Sequence, residues 1–354
     1  MQHELQNMQD NDVWSFTPTP KDRKIINCKW IFKKKIGLNG LVSSYKARLV
    51  AQGYSQKLGV DYDDTFSPVV RFESIRTVLA LAAKNNLEVH QMDVQCAFLN
   101  GNLNETLYMK IPKGIDSSNN DEVCKLNKAI YGLKQSSKSW NDNIDKFLKK
   151  LGFKPSNADS CIYTRMKDNI FCVLAVYVDD LLICSSSIEQ INEIKSALSE
   201  HYRMKDLGKL SCFLGVKVTQ MDRKIFIDQS NYAKAILKRF NLENCNPVST
   251  PADVGSYLEY AKDDSDLFDI EIYQSAVGSL LYLSTKTRPD LSYSVGNVAK
   301  FCSKPTTKHW SAVKRIFRYL KGTLDYGILY DDNKDEKCVG YSDADYAGDR
   351  NDRK

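Results

Sequence analysis

The chain has 354 residues, a formal net charge of +6 and a hydrophobic fraction of 42%, a composition typical of a globular protein with two or three domains. Its ten cysteines form no CxxC pair and its four histidines show no ligand spacing, which argues against a disulfide scaffold and a zinc site and favours a reducing compartment. No apolar run is long enough to span a membrane, and the polar N-terminus predicts no signal peptide.

The first segments of the chain predict a leader followed by a basic hairpin. Residues 1–20 are expected to be a loose leader that ends in the turn TPTP. The stretch KIINCKWIFKKK predicts a strand, Gly37–Gly40 a turn and Tyr45–Val50 a second strand. Lys46 and Arg48 are two residues apart and therefore share one strand face. Such cations suit a triphosphate or a nucleic-acid backbone, and a solvated charged hairpin is the alternative interpretation.

Apolar residues at helical spacing predict helices over Ser74–Asn86, most of Lys125–Phe153, Ser187–Met204, Asn231–Leu242 and parts of residues 273–322. Ser74 and Ser187 are the expected N-caps of two of these helices. Leu87–Gly101 predicts a strand with Asp93 near its end. A Pro/Gly-containing linker, NPVSTPADVG, with its acidic extension to Asp269, predicts a domain boundary. The last helix carries a basic face.

The stretch VLAVYVDDLLIC predicts a buried hairpin with two carboxylates at its tip. Val173–Val178 and Leu181–Cys184 are rich in large apolar residues, and Asp179 and Asp180 lie between them. Carboxylates this close repel each other, and a divalent cation would neutralise them. An ordinary turn that contains aspartate is the alternative.

Asp93 would join this pair if its strand lay beside the hairpin in one sheet. Three carboxylates at a sheet edge can hold two divalent cations, which activate a 3′-hydroxyl and stabilise a leaving pyrophosphate. Mg²⁺ is the expected ion, because hard oxygen ligands suit it and no histidine or cysteine competes.

Ten sequence blocks occur in one order across nearly the whole chain: NCKWIFKKK, YKARLVAQGYSQKLGVDYDDTFSPV, MDVQCAFLNG, KLNKAIYGLKQ, YVDD, FLGVKV, NPVSTP, TRPDL, RYLKGT and GYSDADYAGDRNDRK. With these blocks the sequence resembles the reverse transcriptase of copia-type LTR retrotransposons. The resemblance implies an α+β right-hand polymerase fold with fingers, a palm built on an antiparallel sheet, and a thumb. It implies a leader over 1–20, fingers and palm over 21–248, a helical thumb or connection over 249–330, and the start of a truncated RNase H domain over 331–354.

The resemblance also assigns roles to individual residues. Asp93, Asp179 and Asp180 match the catalytic and metal-binding aspartates, which would hold two Mg²⁺ ions that Mn²⁺ can replace. The implied nucleotide-binding residues are Lys34, Lys46 and Arg48 as cations for the triphosphate, Phe98 as the aromatic that blocks a ribose 2′-hydroxyl, and Gln135 against the incoming nucleotide. Which basic residue holds the triphosphate stays open, and a core aromatic is the alternative for Phe98.

Further matches concern the primer, the leaving group and the C-terminal segment. Phe213, Leu214 and Gly215 resemble the primer grip. Lys205 is a candidate proton donor to pyrophosphate, with Arg203 and Lys209 close by and a solvated lysine as the alternative. Asp343 matches the first carboxylate of an RNase H domain. Asn141 departs from the family, whose members often have an aromatic residue there, and this affects local packing.

The implied activity is RNA-directed DNA polymerisation on an RNA or DNA template with a primer and dNTPs. No membrane partner is expected, no RNase H activity is expected of the truncated domain, and the oligomeric state stays open. The implied location is intracellular, in a cytoplasmic virus-like particle or the nucleus. The alternatives are a non-catalytic relic that at most binds nucleic acid, and an unrelated metal-binding protein, which would explain none of the other blocks.

Overall fold

A computed structural model describes residues 1–36, 42–115, 119, 121–253, 257–261, 263–332 and 339–343. The chain divides into two compact units. The first consists of Met1–Ile75 and Glu88–Lys209, and the second contains the described residues of Arg76–Leu87 and Leu210–Lys354. Both units combine helices with sheets, so the predicted α+β class is confirmed. None of the described helices is long and apolar enough to cross a membrane.

The helices in the described residues are α1 (Gln2–Asp10), α2 (Phe72–Lys84), α3 (Ser136–Lys150), α4 (Ile188–His201), α5 (Ser230–Arg239), α6 (Ile270–Lys286), α7 (Ser292–Ala299) and α8 (Thr307–Gly322). Short 3₁₀ turns cover Gly53–Ser55, Ala97–Asn100 and Pro289–Leu291. The strands in the described residues are β1 (Trp14–Pro18), β2 (Ile25–Ile26), β3 (Cys28–Ile36), β4 (Val42–Ala51), β5 (Glu88–Val94), β6 (Asn102–Met109), β7 (Glu122–Lys128), β8 (Lys154–Pro155), β9 (Ile162–Lys167), β10 (Ile170–Tyr177), β11 (Asp180–Ser185), β12 (Met204–Lys209), β13 (Cys212–Phe213), β14 (Val216–Met221), β15 (Lys224–Asp228) and β16 (Gly327–Asp331).

The first unit is built around an antiparallel sheet with the strand order β12-β5-β11-β10-β9-β8. Helices α3 and α4 contribute Trp140, Ile144, Ile191 and Leu198 to the buried cluster on this sheet. Strands β10 and β11 are apolar along nearly their whole length because they are central strands of the sheet. The predicted hairpin is therefore confirmed, and burial of its arms fixes the position of its tip.

The N-terminal residues belong to the core of the first unit, so the prediction of a loose leader over 1–20 was wrong. Strand β1 pairs with β7 in the sheet β1-β7-β6-β2, and α1 precedes it. Met8 and Val13 are each only 1% exposed and pack with Leu49 and Met109. The polar composition of residues 1–20 suggested a leader because α1 is polar on most of its surface and Met8 is its one buried apolar side chain.

Two predicted helices differ from the observed ones at their N-terminal ends. Lys125–Lys128 forms the end of β7, and α3 begins only at Ser136, because this stretch pairs with β1 and β6. Ser74 lies inside α2, where its hydroxyl donates a 2.6 Å hydrogen bond to Asp159 Oδ2. Ser187 is the N-cap of α4 as predicted, since its hydroxyl accepts a hydrogen bond from the amide of Gln190.

In the second unit, helices α5–α8 bury a cluster that includes Tyr273, Leu280, Phe301 and Phe317. The same unit contains the antiparallel sheet β13-β14-β15-β16. Strand β16 pairs with β15 along its whole length. The strand that ends at Asp331, the first residue of the predicted RNase H segment at 331–354, therefore belongs to the same sheet as β14 and β15.

The structure divides after Lys209 rather than at the predicted boundary after residue 248. The predicted linker stays with the second unit because two arginines of α8 bind it. Arg318 Nε donates to the carbonyl of Asn246 at 2.8 Å, and Arg315 donates to Thr250 Oγ1 at 2.9 Å. These two arginines of the predicted basic face thus stabilise the neighbouring loop.

Candidate active site

The tip of the β10–β11 hairpin is a tight turn held by a buried tryptophan. Tyr177 and Asp180 are the last register partners, so Val178 and Asp179 form the turn. Val178 has a φ of 54°, a left-handed conformation that costs energy for a β-branched residue. Trp140 Nε1 donates a 2.7 Å hydrogen bond to the Val178 carbonyl. This bond stabilises the strained turn and orients the following carboxylates.

The three predicted aspartates lie at adjacent backbone positions. Asp180 on β11 is the direct register partner of Asp93 on β5, as the sequence predicted for neighbouring strands. The amide of Val94 donates a 2.7 Å hydrogen bond to the carbonyl of Asp179, which ties the turn to the end of β5. Directly opposed residues of antiparallel strands project to the same face of the sheet. Asp93 and Asp180 therefore share one face.

A glutamine that was not predicted from the sequence supports this pair. Burial raises the pKa of Asp180, the hydrogen bond from Gln91 lowers it, and the negative charges of Asp179 and Asp93 raise it further, with a net upward shift. Gln91 Nε2 donates that bond to Asp180 Oδ1 at 3.0 Å. Gln91 lies two residues before Asp93, and this spacing is the sequence signal that places both on one strand face.

The chemistry of this donor set fits a hard divalent cation. Asp93, Asp179 and Asp180 offer only carboxylate oxygens. Burial is the main cause of the raised pKa of Asp180, and the like charges of Asp179 and Asp93, which a cation would offset, raise it further. Within the part of the chain that the structure describes, no group of three or more His, Cys, Asp or Glu side chains is arranged to hold a metal ion. The backbone positions are thus adjacent, but the three carboxylates are not gathered into one ligand cluster.

Lys205 lies on a third strand, in line with Asp93 and Asp180. On β12, Lys205 is the direct register partner of Asp93. Lys205, Asp93 and Asp180 therefore occupy matching positions on three neighbouring strands and project to one face. Arg203 binds Asn7 at 3.0 Å, and Lys209 pairs with Glu88 at 2.8 Å. Of these three predicted basic residues, Lys205 is the one in register with Asp93.

The basic hairpin β3–β4 divides its predicted cations between two faces. Register pairs Lys34 with Tyr45 and Ile31 with Arg48, so Lys46 and Arg48 share a face and Lys34 lies on the other. Which of these cations would hold a triphosphate stays a prediction. The predicted turn at 37–40 lies outside the described residues. The Nε atom of Arg48 is buried and has no hydrogen-bond partner in the described residues.

Phe98 lies in the 3₁₀ turn that follows β5. It packs against the core under the sheet, and its ring contacts Tyr131 edge-to-face with 4.9 Å between centroids. Phe98 also lines a cavity of about 200 Å³ together with Val178, Trp140 and Asn141. The predicted sugar-blocking aromatic is thus close to the turn that carries Asp179. Asn141, the residue predicted to affect local packing, lines the same cavity.

Gln135 is buried, with 3% exposure, and its amide is engaged within the protein. Its Nε2 donates to the carbonyl of Asp61 at 2.9 Å and to Glu105 at 3.1 Å. Its Oε1 accepts a 3.1 Å hydrogen bond from Gln56. This network orients the start of α3, and the predicted contact with a nucleotide stays a prediction.

The predicted primer grip is a tight turn in the second unit. Phe213 ends β13 and is buried, and Leu214 and Gly215 both have positive φ. Tyr282 on α6 donates a 2.6 Å hydrogen bond to the carbonyl of Leu214, and a side chain at Gly215 would meet the same hydroxyl. Asp343, the predicted RNase H carboxylate, is exposed and lies in neither a helix nor a strand. Residues 333–338 and 344–354 lie outside the described residues.

A family model described as "Reverse transcriptase (RNA-dependent DNA polymerase)" matches residues 11–254. The chain is 41% identical to the Retrovirus-related Pol polyprotein from transposon TNT 1-94 of Nicotiana tabacum, over 100% of this chain and 27% of that protein. It is 39% identical to that from transposon RE2 of Arabidopsis thaliana, over 97% of this chain and 24% of the relative. The chain therefore spans about a quarter of the length of these relatives.

A solved structure of a foamy viral protease-reverse transcriptase in complex with double-stranded DNA is a more distant match. It has a TM-score of 0.44 and 11% identity, and the match covers 90% of this chain and 48% of the viral chain. At that similarity the match adds nothing to the argument from the residues.

Proposed function

Because this chain belongs to the reverse transcriptase family of RNA-dependent DNA polymerases, we propose that it extends a primer by copying an RNA or DNA template. Each cycle would add one deoxynucleotide to the primer 3′-end and release pyrophosphate. The predicted right-hand polymerase fold agrees with this membership, and the relatives are Pol polyproteins of copia-type transposons. Template, primer and dNTPs are the proposed partners, and the proposed site of action is intracellular.

The observation that carries the proposal is the register of Asp93 with Asp180 next to the turn residue Asp179. These three residues would hold the two divalent cations. A pair of such ions activates the primer 3′-hydroxyl and stabilises the leaving pyrophosphate. Gln91 orients the carboxylate of Asp180, and Trp140 holds the turn from below.

The remaining residues would bind the substrate. Lys46 and Arg48 share the hairpin face that we assign to the triphosphate, and Phe98 would exclude a ribose 2′-hydroxyl. Lys205, in register with Asp93, would donate a proton to the leaving pyrophosphate. Gln135 would support the nucleotide site from the buried start of α3.

Primer extension on poly(rA)·oligo(dT) with dTTP and Mg²⁺ or Mn²⁺ tests the proposal. We expect extension by the wild-type chain and none by Asp179→Asn. Asp142→Asn is the matched control, since Asp142 is a half-exposed α3 residue that pairs with Lys138. Binding of the hybrid without extension under either metal would instead support the non-catalytic relic.

A further inference from the structure

Tyr131 connects two predicted nucleotide-binding residues that belong to different elements. The guanidinium carbon of Arg48 on β4 lies 4.6 Å from the centroid of the Tyr131 ring. The Tyr131 ring also contacts Phe98, with 4.9 Å between the ring centroids and 70° between the ring planes. The three side chains form a continuous cation–ring–ring contact, so a change in the central ring must affect both ends.

The backbone of Tyr131 is fixed to the strand that carries Arg48. The amide of Ala51 on β4 donates a 2.8 Å hydrogen bond to the Tyr131 carbonyl. Gly132 has a φ of +94°, and a Cβ there would lie 2.1 Å from the Ala51 carbonyl oxygen. Only glycine permits this approach. The glycine in the IYGLKQ block therefore locks the Tyr131 loop against β4.

The ring is also held in one chemical state. Burial raises the pKa of Tyr131 to about 12, while the positive charge of Arg48 lowers it. The phenol is consequently neutral at physiological pH, and its contact with Arg48 is that of a cation over a neutral ring. No change of protonation disturbs this contact near neutral pH.

We infer that Tyr131 is a positioning residue that determines sugar specificity, by setting the separation between Arg48 and Phe98. This inference rests on the proposed function. The triphosphate and the 2′-carbon of a nucleotide are separated by a limited distance. A cation that holds one end and an aromatic that excludes an extra hydroxyl at the other discriminate well only if their spacing is rigid. The Tyr131 ring is the group that contacts both.

The test compares the incorporation of dTTP and UTP on poly(rA)·oligo(dT). We expect Tyr131→Leu to lower the ratio of kcat/KM for dTTP to that for UTP by about tenfold. Tyr131→Phe retains the ring and should retain the ratio. Tyr54→Leu is the control for loss of a tyrosine, because Tyr54 is 78% exposed and its hydroxyl donates a 2.7 Å hydrogen bond to the nearby Gln52 side chain.

A double-mutant cycle separates positioning from a general loss of folded protein. In the background of Phe98→Ala, Tyr131→Leu should change the ratio no further, since the excluding ring is already gone. Loss of folded enzyme lowers the use of both nucleotides by one factor and leaves the ratio unchanged. If Tyr131→Leu yields no soluble protein, Tyr131→Met replaces it. An unchanged ratio in the soluble variant overturns the inference.

A further arm distinguishes failure of the inference from failure of the proposed polymerase. If the wild-type chain extends no primer, equilibrium binding of dTTP and UTP to the chain with primer–template in Ca²⁺ replaces the kinetic ratio. A preference for dTTP that Tyr131→Leu removes supports the inference without any catalysis. An equal preference in both proteins, or no nucleotide binding by either, overturns it.

Discussion

Gln91 Nε2 and Asp180 Oδ1 are joined by a 3.0 Å hydrogen bond on the sheet face that carries Asp93. This bond lowers the pKa of Asp180, whereas burial and the neighbouring carboxylates raise it. In Gln91→Leu the pKa of Asp180 should therefore rise further. Because the ionised carboxylate is the active form, the acid limb of the pH–rate profile should move to higher pH. Gln6→Leu, which removes a bond to exposed Asp10, should leave the profile unchanged.

Asp93→Asn and Asp179→Asn should abolish polymerisation and leave the fold intact. Asparagine keeps the shape of aspartate and removes the charge that a metal requires. Less repulsion around Asp180 should leave the thermal midpoint unchanged or higher. Primer extension and thermal unfolding measure the two effects. Activity within about tenfold of wild type, or about 1.4 kcal/mol of barrier, would contradict the catalytic assignment.

Phe98→Ala should increase the use of ribonucleotides more than it reduces the use of deoxynucleotides. The reason is lost volume at the position where a 2′-hydroxyl would lie. Competition between dTTP and UTP on one template measures the ratio. Phe171→Ala is a control, since Phe171 is a partly exposed aromatic on β10. A ratio that stays at the wild-type value would make Phe98 a simple core aromatic.

The two faces of the basic hairpin should give different phenotypes. Arg48→Ala should raise the nucleotide KM or lower kcat, because a cation acts more strongly in a site with little water. Lys34→Ala, on the opposite face beside Tyr45, should instead reduce the salt dependence of template binding. Steady-state kinetics and binding titrations at several salt concentrations separate the effects. Identical phenotypes would show that the hairpin acts as one surface.

A buried histidine predicts how stability depends on pH. Burial lowers the pKa of His90, as does Lys195, whose ammonium lies 2.9 Å from Nδ1 and also pairs with Asp206. The negative charges of Glu88 and Asp206 raise the pKa of His90, and the positive charge of Lys209 lowers it. His90 therefore binds a proton more readily in the unfolded chain than in the folded chain. The contribution of neutral His90 to stability is complete above about pH 6.5 and is lost as the pH falls.

Denaturant unfolding from pH 7.5 to 5 measures the His90 effect. His90→Gln should flatten the dependence in this range, and His3→Gln should not, because His3 is an exposed residue of α1. An equal slope in wild type and His90→Gln would assign the acid sensitivity to other groups.

The central hairpin and the neighbouring Asp93 strand could be predicted because long apolar runs and β-branched residues strongly indicate buried strands. The register that places Asp180 opposite Asp93 depends on pairing between distant segments, which one sequence does not specify. The same limit explains why the position of Lys34 on the hairpin face opposite Arg48 could not be predicted, since it depends on the register of β3 with β4. Tyr131 lies in a loop without periodicity, so nothing in the sequence pattern indicated that its ring contacts Arg48 and Phe98.

Some local signals were outweighed by tertiary contacts. Ser74 has the chemistry of a helix cap, but its hydroxyl bonds Asp159 from within α2. The arginines of α8 have the pattern of a solvated basic face, but Arg315 and Arg318 bind the adjacent loop. In both cases a partner distant in sequence determined the role of the side chain.

The pairing of β1 with β7 has a practical consequence for producing the protein. A shortened version that starts at residue 21 would lack α1 and β1. Strand β7 would then become an open edge, and the apolar surface against Met8 and Val13 would face water. Such edges pair with other chains, so the shortened version should aggregate during expression, while a version that keeps Met1 should remain dispersed.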